Sequence, residues 1–147
     1  MATIRREILT AARPDDVWEA LRDVGALHTR LVPGFVTDTR LEPGARVVTF
    51  YNAMVVREAI ITVDDDERRI AWSASGGSLT HHNASAQVFS DSRGAARVVW
   101  IADILPNEAE GAIAAMIDRG MAAMKQTLDR LAEEGGEVEA GDMPARA

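Results

Sequence analysis

The chain has 147 residues, enough for one domain with a real core. Its net charge of -7 argues against gripping nucleic-acid phosphates, which needs a basic surface. The absence of cysteine excludes disulfides, thiolate catalysis and zinc–thiolate sites.

Residues 3–10 (TIRREILT) read as a first strand. Pro14 marks a helix start, because its fixed φ and missing N–H suit the first helical position. Asp15 and Asp16 favour the positive end of that helix, and Val17, Leu21 and Val24 share one face. Gly25 ends it, and a second short helix or turn runs to Leu31.

Strands follow in a meander: FVTDTRLE, ARVVTFY, MVVREAIITV, RRIAWSAS, LTHHNASAQVFS and AARVVWIADIL. Pro43-Gly44, Asn52-Ala53, Gly76-Gly77 and Asp91 to Gly94 supply turn chemistry between them. The triplet Asp64-Asp65-Asp66 lacks the ligand spacing of a calcium loop and reads as a solvated turn.

From Glu108 to Glu133 the period changes. Ile113, Met116, Ile117, Gly120, Met121, Met124, Leu128 and Leu131 fall on one stripe of a long amphipathic helix. Residues 135–147 carry Gly, Glu and Ala without apolar period and are expected to be a disordered tail behind a single domain over 1–134.

The fold class is therefore α+β. About seven antiparallel strands must bury one face against one long C-terminal helix, and a sheet of that many strands curls around the helix, a helix-grip. No apolar run approaches the roughly 20 residues of a membrane span. The opening residues MATIRRE hold no apolar signal core, so a soluble, cytoplasmic protein without membrane insertion is expected.

Pairing 79–90 with 95–104 across a four-residue turn sets His82 against Ala102, Ala84 against Trp100 and Ala86 against Val98 on one face. His81 then faces Asp103, Ser85 faces Val99 and Gln87 faces Arg97 on the other. The first face, with its small and apolar residues, is assigned to the interior. A slip by one residue would exchange the faces.

Small residues at 84, 86 and 102 leave room, and an empty Leu-sized void costs about 2–5 kcal/mol. Either the Trp100 indole fills that room as ordinary core, or a ligand does, with His82 and Trp100 in its wall. His82 itself reads either as a satisfied core residue or as a group that donates or accepts protons near neutral pH. His81 and His82 point to opposite faces and cannot chelate one ion, so no metal site is expected.

Arg57 and Glu58 are neighbours on a strand, so one faces inward: Arg57 to hold an anion, or Glu58 to serve as a base. Trp72 reads as a wall or core residue, and Tyr51 as a candidate donor at a cavity mouth. Met116 and Met124, with the notch at Gly120, fit either a gap-filling core or a ligand-lined helix face. No Walker-type or dinucleotide glycine loop and no Gly-x-Ser-x-Gly elbow appears.

Three stretches, ARPDDVWEALRDVGAL, VVREAIITVDDDERRIAWS and GAARVVWIADILP, resemble the START / polyketide cyclase–dehydrase superfamily, to which birch-pollen-allergen-like proteins also belong. The resemblance runs from residue 3 to about 133. It implies a cavity between sheet and last helix that takes a hydrophobic or aromatic small molecule. It also favours Glu58 as the inward residue of the VRE run.

Two uses follow. One is cofactor-free cyclisation or dehydration, with His82 and Glu58 moving a proton and Tyr51 or Arg57 stabilising an enolate. The other is carriage of a lipid or small molecule without turnover. A third use, from the residues alone, is an accessory module whose outward Phe89, Val99 and Ile101 form a homodimer patch.

Overall fold

The computed structural model describes residues 1–142, with side chains through Gly135. Seven strands form one antiparallel sheet: β1 (Ala2–Thr10), β2 (Val36–Glu42), β3 (Ala45–Phe50), β4 (Val55–Asp64), β5 (Arg69–Ser75), β6 (His81–Ser90) and β7 (Ala96–Leu105). Their order across the sheet is β1-β7-β6-β5-β4-β3-β2, so β1 and β2 are the edges. Helix α1 (Pro14–Arg22) and a π-helical turn (Leu27–Leu31) connect those edges, and α2 (Glu110–Asp142) follows the sheet after a short 3₁₀ turn.

The strands form where sequence period and turn residues agree. Gly34, Gly44, Gly76, Gly77 and Gly94 all take positive φ in connections, a region open to glycine at little cost. Bulges between Val36 and Asp38 in β2, and between Ile60 and Thr62 in β4, add to the local bend of the sheet.

Helix α1 buries Val17, Trp18 and Leu21 against the sheet. Its outer side is fastened at the β4–β5 turn, where Asp65 accepts hydrogen bonds from Trp18 Nε1 and Arg22 Nε, each at 2.8 Å. The turn expected to be only solvated thus includes an anchor for α1.

Helix α2 lays Ile117, Met121, Met124 and Leu128 into the sheet's inner face; Leu128 is 0 % exposed. Polar ties hold α2 to edge strand β1. Arg6 meets Asp118 at 2.7 Å, Thr10 donates to Asp129 at 2.7 Å, and Lys125 donates to the Leu9 carbonyl at 2.7 Å. The helix continues past the expected break at 135 to Asp142; residues 143–147, the remainder of the expected tail, lie outside the described residues.

The β6–β7 register differs from expectation by two residues. His82 pairs with Ile104, Ala84 with Ala102, Ala86 with Trp100, and Asn83 rather than His81 with Asp103. The cause is the turn: the Asp91 carboxylate accepts the N–H groups of Arg93 and Ala95, which widens the loop to five residues. A slip of two preserves the faces, so 82, 84, 86, 98, 100 and 102 remain inward as expected. On the outer face Val99 is 5 % exposed, flanked by Glu7 and Gln87, so it does not form the exposed docking patch expected with Phe89 and Ile101.

Candidate functional site

Between the sheet's inner face and the start of α2 lies a cavity of about 310 Å³. Leu21, Leu31, Phe35, Ile70, Trp72 and Trp100 supply much of its apolar wall, and Ile113, Met116 and Met124 come from α2. Gly76, Gly77 and Ser78 are exposed yet border the cavity, so it reaches the surface at the β5–β6 loop. Trp72 and Trp100 meet with ring centroids 5.8 Å apart. The Trp100 indole N–H is buried without an acceptor.

Among the described residues, only three that titrate near neutral pH or carry charge line this wall: Arg46, Glu58 and His82. Arg46 and Glu58 are also the only charged side chains in the buried class among the described residues, at 4 % and 7 % exposure. They face each other across β3 and β4, and Arg46 Nε donates to Glu58 Oε1 at 2.8 Å. Burying either charge alone would cost several kcal/mol, so each depends on the other. Arg46 also reaches the Val24 carbonyl at 3.4 Å, and its guanidinium carbon lies 5.6 Å from the Trp72 ring centroid. The second carboxylate oxygen, Glu58 Oε2, has no hydrogen bond from the described residues and is not sealed from the cavity.

His82 stands two strands away in the same row. Glu58 pairs with Ala74 on β5, and the β5–β6 register continues to place Ala74 opposite His82. The regular ladder stops at Trp72–Ala84. Beyond it the Ala74 N–H donates to His82 Nδ1 at 3.0 Å, and the Ser73 hydroxyl donates to the His82 carbonyl at 2.6 Å. The imidazole thus replaces a backbone ladder bond. With Nδ1 accepting, the neutral ring carries its proton on Nε2, which has no partner among the described residues and is not sealed in. Burial, with a smaller contribution from the neighbouring His81 charge, holds the His82 pKa below its ordinary value near 6.5.

This geometry revises several expected roles. His82 lines the cavity, but its free nitrogen is a donor rather than a base. Glu58 faces inward; Arg57 faces out, half exposed, 3.6 Å from Glu42, and holds nothing in the cavity. Tyr51 is 41 % exposed with the Arg119 guanidinium 4.8 Å from its ring, outside the cavity wall.

Trp72, Trp100, Met116 and Met124 line the cavity, whereas Ala84 is packed core. The Gly120 notch is filled by protein: a Cβ there would lie 2.9 Å from Trp100 Cζ3 and 3.0 Å from Phe35 Cε2. On the outer face His81 Nε2 meets Asn83 Oδ1 at 2.7 Å, and Asn83 continues to Asp103 at 3.1 Å.

Arg46 was not foreseen, although a signal existed. It alternates with Val48 and Phe50 on one face of ARVVTFY, an Arg within an apolar stripe. Counting back from the β3–β4 hairpin puts Glu58 opposite it.

The family described as polyketide cyclase / dehydrase and lipid transport matches residues 1–136. No curated protein is similar enough to count as a match. Among solved structures, the protein XoxI from Bacillus cereus superposes with a TM-score of 0.78 at 18 % identity, covering 87 % of this chain and 96 % of that one. A solution structure from Thermobifida fusca gives 0.69 at 26 % identity, over 95 % and 96 % of the two chains. A Thalictrum flavum norcoclaurine synthase mutant, in complex with a transition-state analogue, gives 0.67 at 20 % identity, over 92 % and 96 %.

Proposed function

The chain belongs to the polyketide cyclase / dehydrase and lipid transport family, and we propose that it binds a hydrophobic, ring-bearing small molecule between the sheet and α2. The carrying observation is an apolar cavity with one small polar end. Ligand pockets run from about 300 to 1,000 Å³, apolar with a few placed polar groups. At about 310 Å³ this one suits a compact, polyketide-like ring system better than a long-chain lipid.

The test is a titration with the bicyclic compound 1-tetralone, read by tryptophan emission, since Trp72 and Trp100 both line the wall. Saturable change is expected. In an Ala74→Phe variant, which fills the polar end, the change should disappear while the fold persists. No saturable change in the wild type would refute the reading.

A second reading, turnover, is favoured by one observation: across the small Ala74, Glu58 Oε2 and His82 Nε2 both lack partners among the described residues. Glu58 would take a proton from a carbon beside a carbonyl, and His82 Nε2–H would stabilise the enolate oxygen. Arg46 would keep Glu58 oriented. On an identified substrate, Glu58→Gln should then lower kcat by about 100-fold or more; unchanged kcat would leave binding alone.

A further inference from the structure

The polar end of the cavity is electrically neutral. Arg46 and Glu58 cancel one another at 2.8 Å, and among the described residues no other charged side chain lines the wall. Burial keeps His82 uncharged at neutral pH. An anionic headgroup or carboxylate entering here would leave water for a site with no net positive charge, and would meet Glu58 Oε2 besides. Desolvating a lone ion is costly unless it is paired.

The unused atoms nevertheless have definite polarity. His82 is a fixed donor, because Ala74 occupies its other nitrogen, and Glu58 offers an acceptor. Glu58 and His82 lie on β4 and β6 with Ala74 of β5 between, two strand spacings or about 9–10 Å at the backbone.

Resting on the binding reading above, we propose that the cavity selects an uncharged ligand carrying a carbonyl and a hydroxyl on one edge of a compact ring system. The carbonyl accepts from His82 Nε2–H and the hydroxyl donates to Glu58 Oε2. Carboxylate-bearing ligands of the same size are rejected. The Arg46–Glu58 pair is thus a charge filter as well as a structural bridge.

The test uses three probes of similar bicyclic size: 7-hydroxy-1-tetralone, tetralin and 5,6,7,8-tetrahydro-1-naphthoate. At pH 7.5 the hydroxy-ketone is expected to bind at least tenfold more tightly than either of the others. In Glu58→Gln, Arg46 keeps its charge without a counter-charge, so preference should swing at least tenfold toward the carboxylate.

Nitrogen NMR of wild-type His82 gives a ligand-independent reading, expected to show a protonated Nε2 and a bare Nδ1. Equal binding of all three probes, a wild-type preference for the carboxylate, or a protonated Nδ1 would overturn the proposal and leave the binding reading intact. Failure of every probe to bind would overturn both. Should the Glu58→Gln variant not fold, the wild-type ranking and the tautomer still decide the matter.

Discussion

Gly120 sits within α2, where glycine costs about 1 kcal/mol relative to Ala. The Trp100 and Phe35 rings press on the space a Cβ would need. Gly120→Ala is therefore expected to destabilise the protein despite its better helix propensity, by up to about 2 kcal/mol after overpacking is set against that gain; urea unfolding reads the sign.

His82 makes the second prediction at this scale. Its pKa is lowered in the folded state, so the unfolded chain binds the proton first as pH falls. Its contribution to stability is full above about pH 6.5 and is lost as pH falls through the lower folded-state value. Unfolding at stepped pH should show this loss in the wild type and a flatter profile in His82→Ala over the same window. Identical slopes would mean that burial does not act on this ring.

The elements were largely legible in the sequence, because period and punctuation agreed. VVREAIITV alternates, Pro14 opens α1, and the Ile113-to-Leu131 stripe repeats at helical spacing, although α1 ends at Arg22, three residues before the Gly25 expected to stop it. What failed was side-chain work inside turns. Asp91 widened one hairpin by hydrogen-bonding its own loop, and Asp65 turned an acidic turn into the anchor for α1. Neither effect has a periodic signature.

Asp65→Ala should strand the Trp18 indole N–H and cost about 1–3 kcal/mol, measured by thermal or chemical unfolding. Along α2 the cost of truncation should track what each side chain fills. Leu128→Ala, in packed core, is expected to cost about 2–5 kcal/mol, whereas Met116→Ala, beside the existing cavity, should cost less and enlarge the pocket.

At the scale of the whole molecule, the cavity exists because large residues are confined to its walls while Ala74 and Gly76-Gly77 stand at its polar end and mouth, and Ala86 leaves room farther along β6. Of the small residues expected to leave room, only Ala86 borders it; His82 and Glu58 were expected in its wall, whereas Arg46 and the Ala74–His82 bond were not. The polar row crosses four strands, from Arg46 on β3 through Glu58 and Ala74 to His82 on β6. Each member sits on the strand next to the last, but the bulge between Ile60 and Thr62 shifts the β4–β5 register, so counting from the turns does not by itself align Glu58 with His82. The Ala74–His82 bond appears only where the β5–β6 ladder stops, which strand periodicity does not signal.

Native mass spectrometry of the protein isolated from the cells that make it addresses the occupied cavity most directly. The account predicts a retained, non-covalent, neutral small molecule on the wild type, released on denaturation and missing from Ala74→Phe. A ligand-free mass for both proteins, together with no saturable tetralone binding, would contradict it.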